Sequence, residues 1–572
     1  MAHGGPDGEG LYENADDHVV FGHRRLALID LSITGHQPMV HNDQYVISYN
    51  GEIYNYLILK KELQDLGFEF RTQSDTEVIL IGFAQWGASV FDKLSGMFAF
   101  ALYDKTADVT YLVRDQSGIK PLYYSAVDQH LIFASEVKAF KALAKEENPN
   151  WKVYFLAFGH IPEPYTTLKD VFMLPKAHYL KCDHHSSSIE INRFHQEDHQ
   201  ALIKEGRSAQ EKINNTLRDA VARHLIADEP IGIFLSGGID SSLLTLLAGQ
   251  IQSKNSQQLH TISINFKDGQ FSEKIYQDLI LKEVNSNHYE YTLDEKTFGE
   301  HFPTALAAMD QPTADGINSW FINYYAKLNG LKAFLSGIGA DELFGGYPSF
   351  SRMGIVNLLS SLPGFLLKIG VKTKSNILQR AYYLSYKNTI GKYLFLRGFF
   401  TPYEISKLLN LPVSIIDETL KTLAIPNMPT SLSAGEQASW LETNLYMQNQ
   451  LLKDTDFMSM QHGIEVRVPF LDKELLKLVG SISAPIKYKN GKKKGLLIDS
   501  FINLLPRKIW DRPKMGFTFP FQQWLNDNVY FQQQLAKCDN KRAKELISNF
   551  KDGDLHWSKA MVIYQVFNNF DE

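Results

Sequence analysis

The sequence predicts two unlike domains. The first is β-rich and of the α+β class. The second is α/β, built on a parallel sheet, with a mostly helical C-terminal part. Three observations predict this. Over the first 140 residues, short runs rich in Val, Ile, Phe and Tyr alternate with turns marked by Gly or Asp, as strands and their connections do. From about residue 208, apolar strand-like runs alternate with helical patterns, which is how a parallel sheet with crossover helices reads. The chain has 572 residues, more than a single core organises.

The elements follow in order. YVISYNGEIYNY, MFAFALYD, VTYLVRD and LIFASE read as strands of the first domain, and 56–66, YLILKKELQDL, reads as a helix ended by Gly67. The polar stretch 182–210 reads as connector, giving expected boundaries of 1–190 for the first domain, 191–207 for the linker and 208–572 for the second domain. Ile213, Leu217, Val221 and Leu225 recur at helical spacing. PIGIFL then reads as a buried strand, SGGID as a turn and SSLLTLLAGQ as a helix. Further strands are expected at 259–266, 288–293 and 332–337, and helices from about 350 onward.

Composition excludes several classes. The 58 basic and 64 acidic side chains leave a net charge of -6, without the basic surplus of a nucleic-acid-binding chain. Two cysteines, Cys182 and Cys538, make neither a disulfide framework nor a cysteine-rich metal site, so a reducing, cytoplasmic setting is expected. The longest apolar stretch, MGIVNLLSSLPGFLL at 353–367, is broken by Ser-Ser and Pro363 and is too short to span a bilayer. No basic-then-apolar leader is read at the start, and neither a nucleic-acid nor a membrane partner is expected.

The chemistry concentrates in IFLSGGIDSS, 233–242. A strand delivers two glycines to a helix start, where free N–H groups and the positive end of the dipole suit a pyrophosphate. Asp240 adds a carboxylate that a bare anion would disfavour, and a bridging Mg²⁺ reconciles the two. SGGIDSS is similar to the pyrophosphate loop of the N-type ATP pyrophosphatases. FLSGIGADELFGGY (334–347), MSMQHGIEVRVPFLD (458–472) and RPKMGFTFPFQQWL (512–525) narrow the resemblance to glutamine-hydrolysing asparagine synthetases. In the first domain GHRRLALIDLS (22–32), GHQPM (35–39), NGEIYNY (50–56), SDTEVIL (74–80), GMFAFALYD (96–104) and RDQSGIKPLYY (114–124) resemble the family's glutaminase half, an N-terminal nucleophile-hydrolase-like domain.

That resemblance implies a ligase using ATP, aspartate and a nitrogen source, with an aspartyl-adenylate intermediate and release of AMP and pyrophosphate. It implies that Ser236, Gly237, Gly238, Asp240 and Ser241 hold the pyrophosphate end. Leu235, Ile264, Ser336 and Gly337 would frame the adenosine, and Asp240 and Asp341 would hold Mg²⁺. Asp341, Glu342 and Lys494, the last within KKKGLLIDSF, would form the catalytic set. In the first domain it implies glutamine binding by Arg25, Leu26, Leu28, Ile29, Glu52 and Asp75, with Asn50 and Gly51 as oxyanion hole. A homodimer is what the family suggests.

Two features depart from the family. Ile338 stands where many members carry an acid in the middle of the SG-x-G turn, and Phe457 stands where a polar or basic residue is common. Ile338 keeps open a different carboxylate acceptor, such as a surface-sugar carboxylate or a β-lactam-type ring closure, and a catalytically inactive homologue is a third reading. The family's glutaminase uses an N-terminal cysteine whose own α-amine is the base, but residue 2 here is alanine. A late start, a natural shortening or a relative that lost its nucleophile would each account for it. Ammonia is therefore the expected nitrogen source for this chain as written.

Overall fold

The computed structural model describes the chain apart from residues 15–18, 128–129, 144, 197–201, 268–271, 371–372, 374, 490–491, 514–515, 517–518 and 569–572. Parts of the expected linker and of the RPKMGFTFPF block therefore lie outside the described residues.

In the first domain, β1 (Gly8–Asn14) and β2 (Val19–Arg25) form an antiparallel pair. A six-stranded sheet has the order β11-β10-β6-β5-β4-β3, from β3 (Met39–His41), β4 (Tyr45–Ile53), β5 (Gly96–Asp104), β6 (Val109–Arg114), β10 (His178–Asp183) and β11 (Ser188–Arg193). A three-stranded sheet joins β7 (Tyr123–Val127), β8 (His130–Ala134) and β9 (Phe172–Met173). Because side chains alternate along a strand, Phe98, Phe100 and Leu102 of β5 pack against Leu59, Leu63 and Ile79 of the helices Tyr56–Asp65 and Asp75–Trp86. Ala99, Ala101 and Tyr103 face the opposite core with Phe21, Leu112 and Leu180. The helix expected at 56–66 ends at Asp65, with Gly67 at φ +95 closing it.

One expectation fails in this domain. The stretch read as connector from 182 holds the rest of β10 and all of β11, up to Arg193. β11 is an edge strand with every side chain except Asn192 exposed, and its alternation amounts to Ile189 and Ile191 alone, too short a pattern within a polar stretch to mark a strand.

The second domain begins with the helix Gly206–His224, whose Ile213, Leu217 and Val221 are buried at the spacing expected. Its sheet is all parallel, in the order β14-β13-β12-β15-β16. The strands are β12 (Ile231–Phe234), β13 (Leu259–Phe266), β14 (Ser286–Leu293), β15 (Ala333–Leu335) and β16 (Glu465–Arg467). Ile231, Ile233 and Leu335 face one core with the helices Gly206–His224 and Ile239–Lys254. Ile262, Ile264 and Phe334 face the other core with Trp320 and Phe321 of the helix Ile317–Leu328. β16 lies within the region expected to be helical; three residues between helices are too short a run to register as a strand. The chain leaves β12 towards β13 and β14, then returns to place β15 and β16 on its other side. That reversal between β12 and β15 opens a crevice at the strands' carboxyl ends, where open α/β sheets bind ligands.

Candidate active site

Two turns meet in that crevice. The first follows β12. Gly237 takes φ +83, which a side chain would strain, and Gly238 caps the 16-residue helix Ile239–Lys254. The Ser241 hydroxyl accepts from the Ser236 backbone N–H at 3.2 Å and lies 3.0 Å from the Ser236 hydroxyl. From the second half of the domain, Arg512 donates to the Gly237 carbonyl at 2.9 Å and pairs with Glu273 at 2.5 Å, clamping the turn. The second turn, Ser336-Gly337-Ile338-Gly339, follows β15. A methyl carbon at 337 would stand 2.7 Å from Cβ of Asp240, so the two turns touch only because position 337 lacks a side chain.

Lys494 closes the arrangement from a third element, the start of the helix Gly495–Ser500. Its ammonium is 2.5 Å from Oδ2 of Asp240 and 2.6 Å from Oδ1 of Asp341. The side chain is only 4 % exposed, so of the run Lys492–Lys494 this one is not a solvated surface charge. The two carboxylates raise its pKa against the opposing effect of burial, so it stays protonated. The Gly346 backbone presses against this cluster: a Cβ there would fall 1.6 Å from Asp341 Oδ1 and 2.7 Å from Lys494 Cε.

Asp240 and Asp341 offer hard oxygen donors converging beside a phosphate turn. Among the described residues no group of three or more His, Cys, Asp or Glu side chains forms a metal cage. Two carboxylates completed by polyphosphate oxygens and water are nevertheless a donor set that suits Mg²⁺, which seldom takes an all-protein shell. Bound there, the metal would neutralise polyphosphate charge.

Glu342 is placed differently from a group free to meet a ligand. One carboxylate oxygen accepts from Gly339 N–H at 3.1 Å and the other from the Tyr347 hydroxyl at 2.8 Å. Burial first, then the neighbouring Asp341, push its pKa up to about 7. Its visible task is to hold the second turn.

These groups line a cavity of about 840 Å³. Leu235, Ser236, Gly238, Asp240, Ser241, Ile264, Ser336, Gly337, Asp341, Glu342 and Lys494 all border it; Gly237 lies behind the turn. The same wall holds residues that sequence reasoning missed. Asp315, Asn318 and Asn323 come from the start and one face of the helix Ile317–Leu328, and Asp454 and Tyr446 from the helical region before β16. Ile338 sits beside them, at the edge of an apolar cluster with Met447, Leu452 and Leu471. Asp454 accepts from the Thr313 hydroxyl at 2.9 Å, and burial with Asp315 nearby pushes its pKa well up. Burial raises Asp315 too. The signal in sequence was the isolated Asp315-Gly316-x-Asn318 at a helix start, which no phosphate-loop pattern contains.

A second, smaller cavity of about 170 Å³ lies in the first domain. Arg25, Leu26, Leu28, Ile29, Asn50, Gly51, Glu52 and Asp75 all border it. Arg25 is held by the carbonyls of Ser32, at 2.9 Å, and Asp30. Asp75 accepts from the Tyr49 hydroxyl at 2.8 Å and from Ile53 N–H at 3.0 Å, and burial raises its pKa. Gly51 takes φ +145 with its backbone against Met97, where a Cβ would lie 2.0 Å from the Met97 carbonyl. Glu52 spends its carboxylate on Arg467 of β16 at 2.9 Å. Phe457 borders this cavity too, not the phosphate crevice. Neither cysteine does: Cys182 is buried in β10, Cys538 near the C-terminus.

The domains are locked together between the cavities. Buried Arg467 pairs with Glu52 and Glu465 and donates to the carbonyls of His224, at 3.0 Å, and Ile226, at 2.7 Å. Lys120 reaches Asp456 at 3.2 Å, and Lys332 reaches Asp7 at 3.1 Å.

Comparison with known proteins fits this division. Residues 212–551 match the asparagine synthase family model, and residues 1–195 match the glutamine amidotransferase domain model. Asparagine synthetase [glutamine-hydrolyzing] 1 of Bacillus subtilis is 30% identical over 557 residues, covering 92% of this chain and 84% of the relative. Asparagine synthetase [glutamine-hydrolyzing] 3 of the same organism is 29% identical, covering 90% and 82%. A putative asparagine synthetase [glutamine-hydrolyzing] 2 of Methanocaldococcus jannaschii is 34% identical, covering 65% and 76%. With the asparagine synthase model covering residues 212–551 and a 30% identical asparagine synthetase matched over 92% of the chain, the chain belongs to the asparagine synthase family.

Proposed function

We propose that this chain converts aspartate to asparagine at the expense of ATP, through an aspartyl-adenylate, in the reducing cytoplasmic setting that its two buried thiols suit. The observation that carries the reading is the convergence of the Ser236–Ser241 turn, Asp240, Asp341 and Lys494 on one cavity. A β-carboxylate oxygen of aspartate attacks the α-phosphorus, and the bond to the pyrophosphate oxygen breaks. Turn N–H groups and Lys494 offset the charge of the departing pyrophosphate. The lone pair of ammonia then attacks the acyl carbon, the C–N bond forms, the C–O bond to AMP breaks, and nitrogen gives up a proton. Asp240 and Asp341 would hold Mg²⁺.

Ile338 cannot accept that proton. Asp315 lines the same cavity and uses one oxygen on Gly316 N–H; we assign it the proton from nitrogen, with Asp454 as its buried neighbour. Arg25 and Asp75 would receive the carboxylate and ammonium of glutamine, and Asn50 and Gly51 its developing oxyanion. The relatives' printed names make glutamine the family donor, while ammonia suffices for the synthetase half of this polypeptide.

The test is to incubate the chain with ATP, Mg²⁺, aspartate and ammonium and to measure AMP and asparagine. Equal amounts of both are expected. AMP with another carboxylate but not with aspartate would overturn the substrate, and no AMP with any acceptor would overturn the activity.

A further inference from the structure

The apolar stretch too short to cross a bilayer lies on the surface. The helix Pro348–Ser360 buries Ser349, Met353 and Val356, and a helix with one face on the core carries polar residues on the other. Here the outer face carries Ile355, 60% exposed, and Leu358, 71% exposed. Leu362 in the following turn is exposed as well. The helix Gly364–Ile369 buries only Leu367 and presents Phe365, 69% exposed, with Leu366 and Ile369.

A third helix, Asn376–Arg380, continues the patch. A Cβ on Gly370 would fall 2.1 Å from the Leu378 carbonyl, so the end of the second helix lies against the third, which adds exposed Ile377 and Leu378. Lys387 ties the turn down by donating to the carbonyls of Ser360, at 2.6 Å, and Leu362. Isolated surface leucines need no explanation, but a contiguous set on three neighbouring helices does.

Charge decides what covers it. Residues 343–403 contain no Asp or Glu, yet they hold eight basic residues, in a chain whose net charge is -6. Arg352, Lys368 and Lys387 are exposed around the patch. A second copy docked by a two-fold axis would bring these cations against their own images, with no acid in the segment to pair them. An anionic lipid surface satisfies both features: its acyl boundary takes the apolar side chains and its headgroups take the cations.

We propose that the helices Pro348–Ser360, Gly364–Ile369 and Asn376–Arg380 form an interfacial docking surface for anionic membranes. The chain lies on the bilayer without crossing it; no helix among the described residues is long and apolar enough to cross.

The test is co-sedimentation of the full chain with phosphatidylcholine vesicles, with and without phosphatidylglycerol. Binding is expected to phosphatidylglycerol-containing vesicles and to weaken with added salt. Lys368→Ala should weaken it about fivefold and Phe365→Glu at least about tenfold. Both variants should keep the wild-type melting temperature and ammonia-dependent AMP formation, because neither residue borders a cavity described above. Absence of phosphatidylglycerol-dependent binding overturns the proposal, as does binding that Phe365→Glu leaves intact. A chain that is dimeric in solution and made monomeric by Phe365→Glu also overturns it, in favour of a second copy.

Discussion

Replacing Lys494 by methionine removes one ammonium from between two carboxylates while keeping most of the side-chain volume. The contacts are 2.5 and 2.6 Å. At an effective dielectric of about 20, each is worth roughly 6 kcal/mol of gross attraction, and stripping water from a lysine that is 4 % exposed offsets most of it. The variant takes from Asp240 and Asp341 the ammonium they share, so it should lose about 3–5 kcal/mol of stability in the free protein. The kinetic loss should be about 10²–10³ in kcat, the usual cost of one preorganised donor to transition-state charge. With that ammonium gone the two carboxylates should also draw Mg²⁺ more tightly, so excess Mg²⁺ should restore part of the melting temperature but not the rate. The assay is aspartate-dependent AMP release at saturating ammonium, with thermal melts in parallel at several Mg²⁺ concentrations. A kcat within about twofold of wild type would refute the reasoning, as would a melting temperature that Mg²⁺ raises no more than in wild type.

Other outcomes follow from the same geometry. Gly346→Ala places a carbon 1.6 Å from Asp341 Oδ1 and should abolish aspartate-dependent ATP–pyrophosphate exchange in a protein that still folds, as read by circular dichroism. Asp315→Asn should leave that exchange within a few-fold of wild type and reduce asparagine formation about 10²-fold; equal loss of both steps would place Asp315 elsewhere. His224, buried against Tyr54, has its pKa lowered by burial from 6.5 to about 4. Because the folded state holds it neutral, its contribution is complete above pH 6.5 and falls by roughly 3 kcal/mol as pH drops to about 4. Urea titrations across that window should show this slope, and His224→Gln should flatten it. With glutamine as sole nitrogen source, this polypeptide should release no glutamate above background, since neither of its cysteines borders the first-domain cavity.

Much of this was legible because the phosphate crevice depends on local backbone needs. Ser236-Gly237-Gly238 must turn from strand to helix, and Ser336-Gly337 must approach Asp240 closely; each need leaves glycine at a fixed place. Lys494 was legible only through resemblance, since a run of three lysines reads as solvent-facing until the fold buries one of them. Asp315, Asn318 and Asp454 were not legible, because they come from segments far apart in the chain and meet only when the helical half folds over the sheet. β11 escaped because its alternation is only Ile189 and Ile191 within a polar stretch, and β16 because three residues carry no period. The engagement of Glu52 by Arg467 could not be read either: it joins residues of two domains, and nothing near either one announces the other.

β16 carries a consequence for how the protein is made. Its partner β15 ends at Leu335, but β16 begins only at Glu465. At ribosomal rates the intervening chain takes on the order of ten seconds to emerge. Throughout that interval β15 presents a bare sheet edge, and the seat for Glu52 and Lys120 of the first domain is missing. The nascent chain therefore finishes neither the sheet nor the joint between domains until Arg467 arrives, and a ribosome stalled before that point should yield a product prone to edge-to-edge association.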